Sequence, residues 1–553
     1  MTSVTRGGEI MTQFINSKED AVTDAIDGLI RASGGQLARL DGYPHIRVVV
    51  RSDWDKSQVA LVSGGGSGHE PAHAGFVGMG MLTAAVCGGI FASPSVDAVL
   101  AAILAVTGPA GCLLIVKNYT GDRLNFGLAV ERARALGHKV SMVVVDDDIA
   151  LPDLPQARGV AGTLFVHKIA GALAEQGAEL ETLTNAAERV IANTHSIGMS
   201  LDTCSVPGSP KEPRIPPGMA ELGLGIHGEA GVEQIVYGGA KNAIAAVAAK
   251  LATVMDKQPH AVLLNNLGGA SALEMAVLAN ELLTSSIASR LKLIVGPAPM
   301  MTSLDMQGFS VSVYPVTQED ESLLAAACGP TAWPGCKSIK PITLQALPDG
   351  LRPTQPTPSW HDQTANLLTR WCQVLIDSEA DLNALDAKSG DGDTGSTLAG
   401  AAKALLNALD EMPLADHPQL YRAIGQALSQ TMGGSSGVLL AIFFSAAGEA
   451  ASSGLPRVAA LKEGLNRMQQ IGGAKLGDRT MVDALKPALD ALDDSVACAA
   501  RAARTGALHT ATILKASAGR AAYINAEQLR GHIDPGAEAV ARLFEALEAQ
   551  SAK

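Results

Sequence analysis

The chain has few aromatic residues and few charged ones. Phe, Trp and Tyr make up 3% of its 553 residues, and Asp, Glu, Lys and Arg make up 18%. So few aromatic rings argue against a protein that binds nucleic acid by base stacking. The net charge of −13 also disfavours nonspecific attraction to nucleic acid or to an anionic membrane. We therefore expect neither nucleic acid nor a membrane as a partner.

The chain also lacks a disulfide pattern, a signal peptide and a long apolar run. Its seven cysteines are scattered without a C-x-x-C pair, which is typical of reduced thiols in a cytoplasmic protein. The N-terminal segment has no apolar core of the kind found in signal peptides. The nearest approach to a membrane span, residues 437–448, is shorter than the roughly 18 residues required and predicts a buried helix.

Short β-branched runs alternate with alanine-rich helical stretches up to about residue 340. Most of these runs are apolar throughout, which is typical of strands covered on both faces. The pattern predicts an α/β domain over residues 1–340 with a largely parallel sheet.

Several predicted strands end in polar or glycine-rich turns. One turn, residues 63–68, leads to His69, and another holds Lys117 and Asp122. Ligands of open α/β sheets bind at the carboxyl ends of the strands. We therefore expect these three side chains to converge on one pocket as an acid, a cation and a base, although each alone is equally consistent with a turn or cap residue.

A second glycine-rich segment surrounds His227. Gly223, Gly225 and Gly228 satisfy G-x-G-x-x-G, but we see no clear strand before them and no clean helix after them. We therefore reject a dinucleotide-binding fingerprint. The glycines would let a substrate approach the His227 ring closely, and a structural histidine is the alternative. Because His227 lies in a glycine-flanked loop, we expect its side chain to carry little packing energy.

Prolines at positions 341, 348, 353, 356 and 358 predict a stiff linker over residues 341–360. Beyond it, residues 361–553 are rich in Ala and Leu with helical periodicity, which predicts an all-α bundle. Its first helix is expected at residues 363–382. Polar, glycine-rich turns should gather at one rim of this bundle.

One of those turns suggests a phosphate-binding site. The backbone amides after Gly433 could bind phosphate at the positive end of the helix predicted from Val438. Arg479 or Arg520 could add positive charge there, and a surface ion pair is the alternative for either residue.

Three carboxylates, Asp386, Asp391 and Asp393, lie close together between glycines that should prevent a helix. Close carboxylates repel each other unless a cation neutralises them. Mg²⁺ prefers such an all-oxygen site and shares it with substrate phosphates. Ser396 stands where a P-loop has its lysine, and Ala402 stands where an EF-hand has its glutamate. A two-metal site for nucleotide phosphates remains, with a solvated turn as the alternative.

Taken together, the motifs closely resemble those of the single-chain, ATP-dependent dihydroxyacetone kinases. They are SGGGSGHEPAH, KNYTGDRLNF, GIHGE and NNLGG in the first region, then GDGDTGST, GGSSG, GDRTM, GRAAY and DPGA in the second. The resemblance runs from about residue 12 to the C-terminus. It implies an α/β substrate domain (DhaK-type) joined to an all-α helical-barrel nucleotide domain (DhaL-type). It also implies a homodimer whose active site is shared between subunits.

The resemblance implies roles for residues of the first region. His227 would attack the ketone carbon of dihydroxyacetone and form a covalent hemiaminal. His69 would be the acid/base partner at the carbonyl oxygen, and Asp122 would take the proton from the hydroxyl that receives the phosphoryl group. The residues that would position the substrate are Gly66, Ser67, His69, Lys117 and Asp122.

The resemblance also implies a nucleotide site in the second region. Asp386, Asp391 and Asp393 would hold two Mg²⁺ ions, or Mn²⁺, that bridge the phosphates of ATP. Phosphotransferase-coupled relatives typically carry histidine where this chain has Thr394, so Thr394 and the linker favour exchangeable ATP. The residues that would surround the nucleotide are Gly395, Ser396, Thr397, Leu398, Ser435, Ser436, Gly472, Met481, Arg520, Asp534, Pro535 and Gly536.

Four functions remain open at this point. The first is an ATP-dependent kinase of dihydroxyacetone that also accepts glyceraldehyde. The second is a kinase of a larger ketose such as erythrulose, because the motifs do not reveal the size of the pocket. The third is a lyase that splits FAD to cyclic FMN, favours Mn²⁺ and does not need His227. The fourth is a regulator that holds ADP and binds a transcription factor.

Overall fold

The computed structural model describes residues 13–152, 156–348, 356–518 and 520–551. The chain divides into two compact units, Met1–Thr343 and Leu344–Lys553. The predicted linker, residues 341–360, spans this division. Its residues 341–348 are exposed and have no regular secondary structure, and its residues 349–355 lie outside the described part.

The first unit alternates strands with α-helices. In chain order its elements are α1 (Ala21–Ala32), β1 (Leu37–Arg39), β2 (Val48–Arg51), β3 (Ala60–Ser67), β4 (Ala84–Ile90), α2 (Val96–Val106), β5 (Cys112–Lys117), α3 (Thr120–Ala135), β6 (Val140–Val145), α4 (Thr163–Glu175), α5 (Leu180–Asn193), β7 (His195–Ser200), β8 (Met219–Leu222), β9 (Glu233–Val236), α6 (Ala240–Ala252), β10 (His260–Asn266), α7 (Ala272–Leu283), β11 (Leu291–Pro299), β12 (Gly308–Pro315), α8 (Gln318–Ala325) and β13 (Cys336–Ser338).

These strands form two sheets. The first has the order β1-β2-β4-β3-β5-β6, in which β4, β3, β5 and β6 are parallel and β1 and β2 are antiparallel. The second has the order β13-β11-β10-β12-β7-β8-β9, and its pairs are antiparallel except β10 with β11. The α/β class is confirmed, but the prediction of a largely parallel sheet was wrong for the second sheet.

The error has a physical cause that β10 illustrates. Its Val262 and Leu264 pack into a core with α6 and α7, whereas Ala261 and Leu263 pack into the core on the other face of the sheet. A strand covered on both faces is apolar throughout whichever way its neighbours run. The apolar run therefore indicated burial and not strand direction.

Two further expectations about glycine segments need correction. Strand β3 continues through the segment that was predicted as a turn. A Cβ on Gly64 would lie 2.3 Å from the carbonyl oxygen of Val86, so glycine permits the close approach of the backbones. Strand β8 ends directly before Gly223, although no strand was expected there. Turns and β9 follow instead of a helix, so the rejection of a dinucleotide fingerprint stands.

The described residues of the second unit contain ten α-helices and no β-strand, which confirms the all-α class. The helices are α9 (Asp362–Asp377), α10 (Glu379–Ser389), α11 (Thr394–Asn407), α12 (His417–Thr431), α13 (Gly434–Ser452), α14 (Arg457–Gly472), α15 (Val482–Ala491), α16 (Val496–Thr510), α17 (Ala526–Leu529) and α18 (Pro535–Ser551).

The predicted helix over residues 363–382 is in fact two helices. They meet at Ser378, which is buried and accepts a hydrogen bond of 2.9 Å from Arg542 Nη1 on α18. This contact is made across the bundle, so local periodicity could not reveal it. Helix α10 then continues to Ser389, and Asp386 therefore lies on a helix, contrary to the expectation from its glycine neighbours.

Two expectations from composition concern the thiols and the apolar segment 437–448. All seven cysteines lie among the described residues and are free thiols, as predicted. The apolar segment belongs to the 19-residue helix α13, which begins at Gly434 and packs against α12 and α14. Its length and composition satisfy the criteria for a membrane span, and 28% of its most apolar 18-residue stretch is buried. The expected buried helix is thus longer than predicted and buried along one face.

Candidate active site

Three predicted polar residues meet at the carboxyl edge of the first sheet. His69 follows β3, Lys117 ends β5, and Asp122 lies in the first turn of α3. Their exposed fractions are 0%, 0% and 2%. A Cβ on Gly65 would lie 3.2 Å from Asp122 Oδ2 and 3.4 Å from Lys117 Nζ. The absence of a side chain at Gly65 therefore leaves space beside both groups.

The ring of His227 completes this group from the loop between β8 and β9. Its side chain is 17% exposed. The His227 ring centroid lies 4.7 Å from that of His69, 5.6 Å from that of Phe91 and 4.3 Å from that of Tyr119, each in an edge-on arrangement. Phe91 and Tyr119 were not singled out from the sequence, although Tyr119 lies within the KNYTGDRLNF motif.

Glu229 orients the His227 ring and was also missed. Its Oε1 lies 3.2 Å from His227 Nδ1, and its Oε2 accepts a hydrogen bond of 2.9 Å from the His227 backbone N–H. Burial raises the pKa of Glu229, but the hydrogen bond and charge of His227 outweigh burial and lower this pKa to about 2. Because a carboxylate can only accept, Nδ1 carries the proton in this contact, so the lone pair of the neutral ring is on Nε2.

His69 has the same tautomer for a different reason. Its Nδ1 lies 2.8 Å from the carbonyl oxygen of Thr302 and must donate to it. Burial, followed by the charges of Lys117 and His227, lowers the pKa of His69 well below its ordinary value. Within the described residues, Nε2 has no hydrogen-bond partner. The neutral ring therefore presents a free lone pair that can accept a proton.

Lys117 and Asp122 also have polar atoms whose hydrogen bonds are not satisfied within the described residues. In the part of the chain that the structure describes, neither Lys117 Nζ nor Asp122 Oδ1 has a hydrogen-bond partner. Burial lowers the pKa of Lys117, and the charges of Asp122 and Glu229 oppose this shift. Buried polar groups are normally satisfied, so these atoms are suited to binding a polar ligand.

The other two predicted substrate residues lie on β3 itself. A Cβ on Gly66 would lie 2.8 Å from the backbone nitrogen of Ala92, so glycine is required by packing. Ser67 Oγ donates to the carbonyl oxygen of Gly88 at 2.9 Å. Because the hydroxyl proton is used in this backbone contact, Ser67 Oγ can interact with a substrate only as a hydrogen-bond acceptor.

The three predicted metal ligands come together in the second unit. Asp386 is buried near the end of α10, Asp391 lies in the following turn, and Asp393 precedes α11. One ligand oxygen from each residue lies within 4.8 Å of the others. Asp386 Oδ2 accepts hydrogen bonds from the backbone N–H groups of Gly392, Asp393 and Thr394. This all-oxygen donor set, held in a fixed turn, fits Mg²⁺.

The predicted nucleotide residues occupy helix termini and turns. Gly395, Ser396, Thr397 and Leu398 lie in the first turns of α11, Ser435 and Ser436 begin α13, Gly472 ends α14, Met481 precedes α15, and Asp534, Pro535 and Gly536 lie at the start of α18. A Cβ on Gly536 would lie 3.2 Å from Met481 Cβ, which places two of these turns side by side. The side chain of Arg520 lies outside the described residues.

Asp534, one of the predicted nucleotide residues, lies close enough to the predicted metal ligand Asp386 to interact with its charge. Burial is the main cause that raises the pKa of Asp534 to about 6, and the charges of Asp483 and Asp386 raise it further, against the charge of Arg479. Arg479 is 1% exposed and donates through Nη2 to the carbonyl oxygen of His532 at 2.7 Å. The alternative of a surface ion pair for Arg479 was therefore wrong.

The raised pKa of Asp534 predicts a pH-dependent stability. The folded state binds this proton more tightly than the unfolded chain, so the free energy of unfolding should fall as pH rises from about 4 to 6, by about 3 kcal/mol in total. Asp534→Asn should remove this dependence and raise stability at pH 7. Urea unfolding of the free protein at both pH values tests this, with exposed Asp410→Asn as the control; a fall in stability as steep in Asp534→Asn as in wild type would contradict it.

Comparisons with known proteins cover both units. The Dak1 domain matches residues 27–332 and the DAK2 domain matches residues 388–549. The dihydroxyacetone kinase of Citrobacter freundii is 48% identical over 542 residues, which cover 97% of this chain and 98% of that protein. The triokinase/FMN cyclase of Mus musculus is 41% identical over 574 residues, with coverages of 97% and 98%.

The structural comparison agrees. The crystal structure of the C. freundii dihydroxyacetone kinase in complex with AMP-PNP and Mg²⁺ is similar with a TM-score of 0.69 at 46% identity, and the match covers 98% of this chain and 100% of that one. Sequence and structure thus agree over nearly the whole length. The chain belongs to the family of single-chain, ATP-dependent dihydroxyacetone kinases.

Proposed function

We propose that this protein transfers the γ-phosphoryl group of ATP to dihydroxyacetone, and also to glyceraldehyde, through a covalent hemiaminal on His227. The observation that carries the proposal is the contact between Glu229 and His227 Nδ1, which leaves the lone pair on Nε2 beside buried polar groups. A nucleophilic imidazole selects carbonyl compounds, because glycerol has no electrophilic carbon to attack.

Capture of the carbonyl uses three side chains. His227 Nε2 forms a bond to the carbonyl carbon as the π electrons move to the oxygen. Glu229 stabilises the positive charge that develops on the ring. His69 takes up a proton from solvent on Nε2 and passes it to the alkoxide that forms from the carbonyl oxygen. Covalent capture also fixes the neighbouring hydroxyl, which converts a loose encounter into a positioned one.

Activation of the acceptor hydroxyl uses the other two groups of the pocket. Asp122 takes the hydroxyl proton as the new oxygen–phosphorus bond forms and the bond between the γ-phosphorus and the β,γ-bridging oxygen breaks, which releases ADP. Lys117 donates hydrogen bonds to substrate oxygens, and Gly66 and Ser67 contact the substrate along β3. The contact between the His69 ring and the His227 ring supports this division of roles between His69 and Asp122.

The second unit would supply the nucleotide site. Asp386, Asp391 and Asp393 would hold two Mg²⁺ ions, and Mn²⁺ has the same ligand preference. When bound, such ions neutralise the charge of the triphosphate and align its γ-phosphoryl group. The backbone amides at the starts of α11 and α13 would bind phosphate oxygens, and the turns with Gly472, Met481, Arg520 and Asp534 would surround the rest of the nucleotide.

A coupled assay for ADP release tests this function. We expect turnover with dihydroxyacetone and Mg²⁺ and none above background with glycerol. The absence of ADP release with dihydroxyacetone would contradict the proposal. A comparison of kcat/KM for dihydroxyacetone, glyceraldehyde and erythrulose identifies the preferred acceptor, and a clear preference for erythrulose would favour the larger-ketose alternative.

A second candidate function is the cleavage of FAD to cyclic FMN in the helical unit. The 41% identity to a protein named triokinase/FMN cyclase favours it. This activity does not need the carbonyl nucleophile, so it should persist in His227→Ala with Mn²⁺. Its absence from the wild-type protein would remove this candidate.

We also propose a homodimer in which two chains share each active site. Exposed apolar side chains on the first unit support association, among them Leu124 and Leu128 on α3 and Val236 on the edge strand β9. Light scattering should give twice the mass of one chain, and the mass of a single chain under assay conditions would contradict the dimer.

A further inference from the structure

A second pair of histidines lies behind the proposed substrate site, and the proposed function leaves it without a role. His73 is the last residue of the SGGGSGHEPAH motif, and His167 lies on α4. Their exposed fractions are 4% and 0%. His73 Nδ1 lies 3.0 Å from His167 Nε2, and the ring centroids are 5.2 Å apart. The two rings therefore share one hydrogen bond in the interior.

The neutral pair can share its protons in two ways. Burial, together with the charge of Lys117, lowers the pKa of His167 to about 3 and the pKa of His73 well below its ordinary value, so both rings are neutral. If His73 Nδ1 donates to His167 Nε2, the lone pair of His73 is on Nε2. If His167 donates, His73 Nε2 carries a proton instead. Among the described residues, His73 Nε2 has no hydrogen-bond partner in either case.

Ser63 favours the first arrangement. Its Oγ donates to the carbonyl oxygen of Ile115 at 2.6 Å, so it can act towards His73 as an acceptor, and it lies 3.4 Å from His73 Nδ1. In the first arrangement His73 Nδ1 donates towards both Ser63 Oγ and His167 Nε2. This arrangement leaves the lone pair of His73 on Nε2.

His73 and Lys117 lie against the same face of β3. Residues 63 and 65 of a strand point to the same face and are about 7 Å apart. His73 lies against Ser63, and Lys117 Nζ lies 3.4 Å from the place of a Cβ on Gly65. The charge of Lys117 acts on both imidazoles. Lys117 Nζ and His73 Nε2 thus lie on one face of the sheet, and among the described residues neither atom has a hydrogen-bond partner.

We propose that His73 is a positioning residue, which accepts a hydrogen bond from the Lys117 ammonium group through Nε2 when substrate binds, and that His167 fixes the tautomer of His73 for this purpose. The inference rests on the proposed function, in which Lys117 contacts the substrate. A neutral acceptor holds the ammonium group in place without cancelling its charge, so that charge remains available to substrate oxygens. A carboxylate in the same place would compete with the substrate for the charge.

Other charged and titratable groups also affect the pKa values of Lys117 and His73. The groups that act on Lys117 are Asp122, Glu229, Asp147 and Glu70, and those that act on His73 are Lys117, His167 and His69. None of them is altered by a substitution at position 73. A change in the titration of Lys117 in such a variant therefore reports on the contact with His73.

The experiment compares two substitutions at position 73. His73→Asn keeps a donor near the position of Nδ1, facing His167, but has no acceptor at the position of Nε2. His73→Gln places an amide near the position of Nε2 and keeps the acceptor. The measurement is kcat/KM for dihydroxyacetone from pH 6 to 10, where loss of activity at high pH reports deprotonation of Lys117.

We expect His73→Asn to move the alkaline limb of this profile to lower pH by about one unit, because the ammonium form loses its acceptor. Its kcat/KM should then be about tenfold below wild type at pH 9 and within about twofold at pH 6.5. His73→Gln should retain the wild-type limb. A His73→Asn profile that matches wild type, or one lowered equally at every pH, would overturn the inference.

Two further variants keep the result interpretable. His260→Asn removes another buried histidine of the same unit, whose Nδ1 contacts the carbonyl oxygen of Gln258 at 2.7 Å, and it should leave the limb in place. If circular dichroism shows that His73→Asn does not fold, His167→Asn replaces it, because this substitution removes the acceptor that faces His73 Nδ1. An alkaline limb of the kcat/KM profile that is unchanged in His167→Asn would overturn the inference. A wild-type protein without ADP release would instead refute the proposed function itself.

Discussion

Replacing His227 by asparagine should abolish covalent attachment of dihydroxyacetone and lower kcat/KM by about three orders of magnitude or more. Asparagine can still donate from the position of Nδ1 to Glu229, so the loop keeps its main polar contact, but it has no nucleophilic nitrogen. The loss should appear in kcat as well as in KM, because capture also positions the acceptor hydroxyl. Crystals grown with dihydroxyacetone should show continuous density from Nε2 in the wild type and none in the variant.

His227→Ala should give the same loss of activity with a greater loss of stability. The ring packs against three other rings, and aromatic contacts of this kind contribute about 0.5–1.5 kcal/mol each. The expectation from sequence that this loop histidine carries little packing energy therefore needs revision. Turnover of dihydroxyacetone by His227→Asn within tenfold of wild type would show that the hemiaminal is not required.

Glu229→Gln separates orientation of the ring from nucleophilicity. The amide keeps an oxygen near His227 Nδ1 but loses the negative charge that stabilises the developing imidazolium. We expect kcat/KM to fall by about tenfold to a hundredfold, with the hemiaminal still visible at saturating substrate. This intermediate effect would place Glu229 beside the nucleophile as an electrostatic partner.

Replacing Asp391 by alanine should lower kcat by about a hundredfold or more at ordinary Mg²⁺ concentration, and excess Mg²⁺ should restore part of the loss. Asp391 is the better choice than Asp386, whose Oδ2 accepts three backbone hydrogen bonds and therefore also holds the turn. The dependence of rate on Mg²⁺ concentration is the decisive measurement, because a lost ligand raises the concentration needed for half-maximal rate.

The control for this variant is Asp410→Asn, an exposed carboxylate of the same helical unit outside the metal cluster. It should leave the Mg²⁺ dependence unchanged. Formation of the hemiaminal should also survive in Asp391→Ala, since His227 belongs to the other unit. An Asp391→Ala enzyme with the wild-type Mg²⁺ dependence would exclude Asp391 as a metal ligand.

The sequence was most informative where chemistry-bearing residues lie at the ends of elements. His69, Lys117 and Asp122 could be expected to converge, because strands of one parallel sheet end at the same edge. Asp386, Asp391 and Asp393 are neighbours along the chain, so their association required little tertiary information. Both groups are formed by local structure plus one simple rule of topology.

Four of the five residues that were missed make contacts that are distant in sequence. Phe91 and Tyr119 reach His227 from more than a hundred residues away in the chain, and His73 and His167 are 94 positions apart. Glu229 is local, and its signal was the carboxylate two positions after a loop histidine. No periodicity or motif reports an approach between side chains of different elements.

The amino-acid sequence alone determined the α/β and all-α classes and the family, and it predicted the two-part organisation and the reactive side chains, because hydrophobic patterning and local motifs report directly on burial and chemistry. Tertiary structure alone decided the antiparallel second sheet, the break between α9 and α10, the tautomers of His227 and His69 and the histidine pair behind Lys117. Each of these depends on which groups from distant segments are brought within hydrogen-bonding distance, and that is a property of the packed chain.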